Sequence, residues 1–192
     1  LRCKRCDINS ISLLPNVLEK QNAFENGMYE SWQKRNNLIT NLALDLKGNT
    51  LILYSRVEAH GAVLFDKINK NASDKRKIFF VHGGVDAEDR EQVRSITEQE
   101  NDAIIVASYG TFSTGINIKN LHNVIFASPS KSRIRNLQSI GRVLRKGKSK
   151  VKAKLYDIAD DLSTRSRKNY TLNHFIERVK IYVQEQFNYE IT

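Results

Sequence analysis

The chain has 192 residues, of which 40% are apolar and 27% are charged, so it can build one substantial core. No apolar run approaches the roughly 18 residues that a membrane-spanning helix needs, and two cysteines cannot form a disulfide framework. A membrane-spanning or disulfide-stapled protein is therefore excluded, and a cytoplasmic location is expected. Because the chain begins at Leu1 and its only methionine is Met28, we expect it to be part of a larger polypeptide.

Basic residues outnumber acidic ones, 31 to 21, and the excess lies in one stretch. Between residues 131 and 154 there are ten basic side chains and no acidic one, and outside this stretch the two charges balance at 21 each. This pattern is typical of a surface that binds a polyanion, although a plain solvated surface can have the same composition. The ten residues are Lys131, Arg133, Arg135, Arg142, Arg145, Lys146, Lys148, Lys150, Lys152 and Lys154.

The first 27 residues have no sustained hydrophobic period and end in an Asn-Gly pair, which predicts a linker or the edge of a further domain. Cys3 and Cys6 are half of a tetrahedral zinc site, and since no second pair follows, no metal site is predicted. From Tyr29 to Leu46 apolar residues recur at helical spacing, and the following Lys-Gly-Asn sequence predicts the end of that helix.

Short apolar runs then alternate with helical patterns. Four of the five runs are almost continuously apolar, as expected for strands covered on both faces. The alternation predicts an α/β fold with a mostly parallel sheet, in which ligands bind at the carboxyl ends of the strands. The predicted strands are Thr50–Tyr54, Ile78–Val81, Ala103–Ala107, Val124–Ala127 and Val151–Ile158, and the predicted helices between them are Glu58–Asn69, Ala87–Gln99 and Arg133–Leu144.

Polar residues follow the first two of these strands. Ser55-Arg56 comes directly after the first, and His82-Gly83-Gly84 comes after the second. Glycines let a backbone approach a ligand closely, and free amides at the start of a helix suit a phosphate. Taken singly, such residues are more often a plain helix cap and a plain turn.

The third strand leads into the segment from Ser108 to Asn117. Gly110 and Gly115 have the spacing of a phosphate-binding P-loop, but Ile116-Asn117 stands where Lys and Ser or Thr are required. The sequence contains no other such loop, and no Asp-Glu pair that closes a strand and could hold Mg²⁺. We therefore predict that this chain cannot assemble a complete ATP site alone.

The helix predicted after the fourth strand contains Gln138, Arg142 and Arg145. Residues three apart share one helical face, so the two guanidinium groups can converge on one polyphosphate. Such a pair of arginines is also common on an ordinary basic surface.

Three later features have open interpretations. The lysines that alternate from 148 to 154 fit either a solubility device on an edge strand or a track for duplex nucleic acid. A helix predicted from Tyr170 to Tyr189, with Phe187 on its apolar face, is expected to pack against the domain. Asp160 and Asp161 fit a helix cap better than a metal site.

Taken together, these motifs follow the order found in the second RecA-like motor domain of superfamily-two helicases, and the resemblance covers about Met28 to Asp161. Residues 54–56 resemble motif IV, 108–117 resemble motif V, and 138–145 resemble motif VI with its Gln-x-x-Gly-Arg-x-x-Arg pattern. His82-Gly83-Gly84 looks like the DNA-contact loop after motif IV. The segments 105–122, 141–146 and 186–189 are similar to the UvsW-type recombination helicases of tailed phages.

This resemblance implies a RecA-like parallel sheet flanked by helices, with a C-terminal helical extension. The implied division is a linker or domain edge at 1–27, a motor domain at 28–162 and the helical extension at 163–192. Arg142 and Arg145 would reach across an interdomain cleft to the terminal phosphate of ATP, and Gln138 would couple the nucleotide to that cleft. Gly115 and Asn117 would lie near the nucleotide, although many relatives have Asp at the second position. The residues implied to hold nucleic acid are Ser55, Arg56, His82, Gly83, Ser108 and Thr111.

The function implied is that of the C-terminal half of an ATP-dependent DNA helicase or translocase that acts on branched, recombining or damaged DNA without regard to sequence. ATP and Mg²⁺ would be bound mainly by an N-terminal motor domain of the same polypeptide, so this chain alone would be inactive. DNA and that domain are the expected partners, no membrane is expected, and a phage-encoded protein would lie in the host cytoplasm. An RNA helicase, the motor of a restriction or repair complex, and a non-enzymatic nucleic-acid-binding domain remain alternatives.

Overall fold

A computed structural model describes residues 6–11, 13–14, 21–115, 118–128, 153–160 and 170–192. Its strands are β1 (Cys6–Ile11), β2 (Leu13–Leu14), β3 (Thr50–Tyr54), β4 (Ile78–Val81), β5 (Ile104–Ser108), β6 (Asn123–Phe126), β7 (Ala153–Asp157), β8 (Ala159–Asp160) and β9 (Asn188–Ile191). Its helices are α1 (Gln21–Asp45), a π-helical turn (Val57–Ala62) that continues into α2 (Val63–Asn71), α3 (Ala87–Gln99), α4 (Tyr109–Gly115) and α5 (Tyr170–Gln184).

Seven strands form one sheet in the order β4-β5-β3-β6-β7-β1-β9, and each pairing between neighbours is parallel. β2 and β8 form a separate parallel pair. In the central register, Leu53 is paired with Ala107 on one side and Phe126 on the other. The carboxyl ends of β3, β5 and β6 therefore lie level at one edge, and the predicted parallel α/β sheet is confirmed.

The sheet is buried on both faces because its central strands are apolar throughout. All five residues of β3 are buried, and alternate side chains point to opposite faces. Leu51 and Leu53 belong to a core cluster that includes Phe112 of α4 and residues of α5. Ile52 and Tyr54 belong to the opposite cluster, with residues of α1 and α2. The helices thus cover both faces, as the continuous apolar strands predict.

The first long helix begins at Gln21, earlier than the predicted start at Tyr29. The Asn26-Gly27 pair, on which the predicted end of the linker or domain edge depended, lies inside α1. An interior glycine costs only about 1 kcal/mol relative to alanine, which a helix of 25 residues packed on a sheet can offset. The predicted stop is confirmed: α1 ends at Asp45, and Gly48 has a φ of +92°, which favours glycine.

The C-terminal helix ends at Gln184 and does not reach the predicted end at Tyr189. Gln186 turns the chain with a φ of +56°, and β9 follows. Phe187 still packs on Tyr182 of α5, with ring centroids 6.3 Å apart. The apolar contact that helical spacing suggested is therefore made through a turn instead.

Strands from all three predicted segments contribute to the large sheet, since β1 lies within 1–27 and β9 within 163–192. The segment boundaries themselves stay a prediction.

β7 lies between β6 and β1, so the edge-strand explanation is wrong for Lys154, which is exposed between buried Ala153 and Leu155. Lys148, Lys150 and Lys152 lie outside the described residues.

Candidate nucleic-acid interface

The polar residues predicted to hold nucleic acid lie at the carboxyl edge of the sheet. Because β4, β5 and β3 are neighbours and parallel, their ends bring three short segments side by side. Val81 is paired with Ala107, and Tyr54 with Ser108. The structure therefore brings together the residues that follow these strands, which the sequence places far apart. We call this set, Ser55, Arg56, His82, Gly83, Ser108 and Thr111, the strand-end row.

Ser55 and Arg56 are exposed at the end of β3. The Ser55 hydroxyl donates to the backbone oxygen of Ser128 over 3.4 Å. The Arg56 carbonyl accepts the backbone N–H groups of His60 and Gly61, at 3.2 and 3.0 Å, and so starts the π-helical turn. Within the described part of the chain, no carboxylate pairs with the Arg56 guanidinium. Its charge is therefore available to an anionic ligand.

The loop after β4 presents an open glycine. The N–H of Gly84 donates to His82 Nδ1 over 3.1 Å, and the His82 ring packs on Phe80 with centroids 5.1 Å apart. A Cβ added at Gly83 would meet nothing within 4 Å. The backbone at Gly83 is therefore accessible, and His82 holds the shape of the loop.

Ser108 caps the short helix α4. Its Oγ accepts the backbone N–H of Thr111 over 3.2 Å and lies 2.8 Å from Thr111 Oγ1. This is the bonding expected of an N-cap residue, and it accounts for the helix that begins at Tyr109. Thr111 is buried, so Ser108 is the more accessible of the two hydroxyl groups.

A cavity of about 280 Å³ opens beside the strand-end row. We call it the Trp32 cavity, and its lining includes Trp32, Arg35, Arg56, His60, Asp160 and Arg178. α1, the π-helical turn, α5 and the ends of β3, β6 and β8 all contribute residues to it. It thus lies at the edge of the sheet where parallel α/β proteins bind ligands.

Two buried ion pairs hold the walls of this cavity. Arg35 pairs with Asp160 and donates to the backbone oxygen of Ala127, so α1 is tied to the ends of β8 and β6. Asp160 thus lies in β8 as the buried ion-pair partner of Arg35, and its interpretation as a helix cap is wrong. Asp161 lies outside the described residues. Arg178 bonds both carboxylate oxygens of Asp157, at 2.6 and 2.9 Å. Burial opposes the charge on Arg178, but the Asp157 carboxylate outweighs it and raises the pKa of Arg178.

His60 is the centre of a buried polar chain. Its Nδ1 lies 2.6 Å from Ser128 Oγ, and its Nε2 lies 3.1 Å from Asn36 Oδ1. Burial, aided by the positive charge of Arg35, lowers the pKa of His60 to about 4. The imidazole is therefore neutral, and it can donate to Asn36 while accepting from Ser128. Trp32 lies over this ring, with centroids 5.3 Å apart.

The nucleotide-facing residues predicted from the sequence lie elsewhere in the chain. Gln138, Arg142, Arg145 and Asn117 are outside the described residues, and Gly115 ends α4. In the described ranges, no three His, Cys, Asp or Glu side chains are grouped as they would be around a metal ion. No helix of the described part is long and apolar enough to span a lipid bilayer.

Sequence reasoning missed several residues that line the cavity, among them Trp32, Arg35, His60 and Arg178, and it missed Asn36, which holds His60. One signal was available within α1. Trp32, Arg35 and Asn36 are spaced i, i+3 and i+4, so they share one helical face, and two of the three are polar. Polar residues that share a helix face with an apolar residue can be buried, and buried polar side chains need hydrogen-bond partners. The sequence does not indicate which residues those partners are.

The fold and the motifs define a class of protein, and comparison with known families identifies it. Residues 33–147 match the family model of the helicase conserved C-terminal domain, so the chain belongs to that family. The predicted family resemblance and the RecA-like fold are thereby confirmed.

The chain is similar to the ATP-dependent DNA helicase uvsW of Enterobacteria phage T4, with 42% identity over 169 residues. That match covers 81% of this chain and 33% of the relative, so the chain spans about a third of the curated relative's length. The crystal structure of T4 UvsW superposes with a TM-score of 0.76 and 36% identity, over 98% of this chain and 41% of that one.

More distant structures share the fold. A DEAD box protein from Methanococcus jannaschii matches with a TM-score of 0.62 at 17% identity, covering 98% of this chain and 42% of that chain. S. cerevisiae Dbp5 bound to RNA and ADP BeF3 matches with a TM-score of 0.64 at 12% identity, covering 99% and 42%. At these identities the likeness concerns architecture alone.

Proposed function

We propose that this chain is the second motor domain of an ATP-dependent DNA helicase or translocase that acts on branched, recombining or damaged DNA. The main support is the strand-end row, in which hydroxyl groups, an accessible glycine and an arginine without a carboxylate partner among the described residues lie along one edge of the sheet. Such groups can bind backbone phosphates, and contacts to phosphates carry no sequence information, which suits a motor that is indifferent to sequence. The similarity to a phage DNA helicase favours DNA as the nucleic acid.

The ATP-facing half of the proposal depends on motif VI. Arg142 and Arg145 would stabilise the charge on the terminal phosphate, an effect worth about 10³–10⁵ in rate when an arginine comes from another domain. Gln138, Gly115 and Asn117 would complete the nucleotide contacts of this domain. Because the sequence has no P-loop, we assign most contacts to ATP and Mg²⁺ to a preceding motor domain.

α4 would connect the two halves. Ser108 caps its start on the DNA side, and after seven residues it ends at Gly115, on the side that we assign to the nucleotide. Hydrolysis removes the phosphate that the arginines hold, so the cleft between the two motor domains can open. If both domains hold the same strand through phosphates, alternate closing and opening moves the protein along it.

Two measurements of phosphate release test the ATP-facing half. In the complete protein, Arg142→Ala and Arg145→Ala should abolish DNA-stimulated hydrolysis while the fold is preserved. Lys75→Ala is the matched control, because Lys75 is exposed and precedes β4 at the amino edge of the sheet. The 192-residue chain alone should release no phosphate with DNA and Mg²⁺. Normal turnover in both arginine variants, or robust turnover by the chain alone, would contradict the proposal.

The DNA-facing half is tested by salt-dependent binding. Arg56→Ala should weaken binding to DNA of any sequence and reduce the slope of log affinity against log salt by about 1. Lys75→Ala should leave that slope unchanged. Stimulation of hydrolysis in the complete protein by duplex, forked DNA and RNA then distinguishes a DNA motor from an RNA helicase, and stronger stimulation by RNA would overturn the assignment to DNA.

A further inference from the structure

We propose that the Trp32 cavity binds one unstacked nucleotide of the bound strand, with its base against the Trp32 indole and its phosphate at Arg56. The inference rests on the proposed function, since it requires a strand along the strand-end row. It adds a contact to a base, whereas the row alone contacts phosphates. The chemistry recognised is an aromatic base that carries a phosphate.

Trp32 has the properties of a stacking platform. It is the only tryptophan of the chain, and 40% of its surface is exposed although it lies beside a cavity. Its ring lies on His60, tilted by 35°. His60 is itself fixed by Asn36 and Ser128, so the indole has a rigid support. Every base has a π-face, so a fixed aromatic ring at such a site binds bases with little preference for sequence.

The charges around the cavity favour a phosphate at one position. Arg35 is neutralised by Asp160, and Arg178 by Asp157, so neither buried guanidinium carries an uncompensated charge. Arg56 is exposed and has no carboxylate partner among the described residues. Among the described residues that line the cavity, Arg56 therefore supplies the arginine charge that no carboxylate compensates, next to Ser55 in the chain.

The size and position of the cavity suit a single nucleotide. Its volume of about 280 Å³ is at the lower end of the range for small-ligand sites, about 300–1,000 Å³. Duplex DNA cannot enter a space of that size, but one unstacked base can. Ser55 and Arg56 belong both to the strand-end row and to the cavity lining, so a strand that follows the row passes the cavity.

Fluorescence and affinity measured on the 192-residue chain test this inference. Trp32 is the only indole, so its emission reports on this cavity alone. We would titrate the chain with a dye-labelled single-stranded oligothymidylate and with an abasic oligonucleotide of the same length, following Trp32 emission and dye anisotropy. The variants are Trp32→Leu, which keeps apolar bulk on His60, Trp32→Phe, which keeps an aromatic ring, and Lys75→Ala as the control. Far-UV circular dichroism checks that each variant is folded.

We expect the oligothymidylate to quench Trp32 and to bind more tightly than the abasic strand. Trp32→Leu should lose about five- to hundredfold in affinity for the oligothymidylate and bind both strands alike, because stacking is removed. Trp32→Phe should keep part of the preference for bases. Arg56→Ala should weaken binding to both strands by the same factor, and Lys75→Ala should change neither.

Three results would overturn the inference. Unchanged Trp32 emission together with equal binding of both strands by the wild-type chain would remove the base contact and leave the phosphate contacts of the proposed function intact. Quenching by ATP but not by the oligothymidylate would make the cavity a mononucleotide site. Failure of the wild-type chain to bind either strand would overturn this inference together with the DNA-binding role of the strand-end row.

Discussion

Acidification should destabilise the folded chain through His60. The ring is 4% exposed, and its pKa falls from 6.5 to about 4 on folding. Between these two values the unfolded chain binds a proton that the folded chain does not. The contribution of His60 to the free energy of unfolding is therefore fully present above pH 6.5 and is lost as the pH falls from 6.5 towards 4. At about 1.36 kcal/mol for each pKa unit, this contribution amounts to about 3 kcal/mol.

The physical cause is the hydrogen bonding of the neutral ring. His60 Nδ1 accepts from the Ser128 hydroxyl when Nε2 donates to Asn36. A proton on Nδ1 replaces that acceptor with a donor and places a positive charge near Arg35, in a site with little solvent. Acid therefore weakens the contact that ties the π-helical turn to the end of β6.

Urea unfolding of wild type and His60→Gln at a series of pH values from 7 to 4.5 measures this contribution. Glutamine keeps hydrogen-bonding groups but does not titrate, so the variant should be less stable than wild type at pH 7 and the difference should shrink as the pH falls. Carboxylates that titrate in the same pH range contribute to the free energy of unfolding of both proteins alike. Their contribution therefore cancels in the difference between wild type and variant. Parallel stability profiles for the two proteins would refute the role assigned to His60.

Two further pairs of substitutions test the packing around the site. Gly61→Ala places a Cβ 2.4 Å from the Tyr54 ring and should lower the free energy of unfolding in urea by about 1–3 kcal/mol. Gly83→Ala meets open space, so stability should be unchanged while DNA affinity falls, and unchanged affinity would argue against a contact at Gly83. Asp157→Ala should cost about 3–5 kcal/mol because it leaves Arg178 buried without its partner. Glu177→Ala, which removes an exposed ion pair with Lys180, should cost less than about 1 kcal/mol, and equal losses in the two variants would contradict this account.

The sheet could be predicted from the sequence because its central strands are continuous apolar runs. Thr50–Tyr54, Ile78–Val81 and helix Ala87–Gln99 have the predicted bounds. The start of α1 could not be predicted, because Asn-Gly favours a turn locally and packing on the sheet overrides that preference. The turn at Gln186 and strand β9 were missed for a related reason, since Phe187 continues the helical period of α5.

The candidate site, like the fold, could be predicted from the sequence only in part. Residues that directly follow strands, such as Ser55 and Ser108, could be placed from the sequence because parallel strands end at one edge. The cavity depends on pairings between distant parts of the chain. Arg35 and Asp160 are separated by 125 residues, and the spacing of neither residue indicates the other. Only the tertiary structure shows that Trp32 and Arg56 line the same cavity.

The end of β6 connects the strand-end row to the walls of the Trp32 cavity. Ser128 is held by His60 and Ser55, while Arg35 holds the adjacent carbonyl of Ala127. The chain then continues into the segment that contains the two arginines of motif VI. Residues of α1, of the π-helical turn and of the strand-end row thus meet where that segment starts. If the proposed function holds, a strand bound at Ser55 lies one hydrogen bond from Ser128, the residue from which the chain leads towards motif VI.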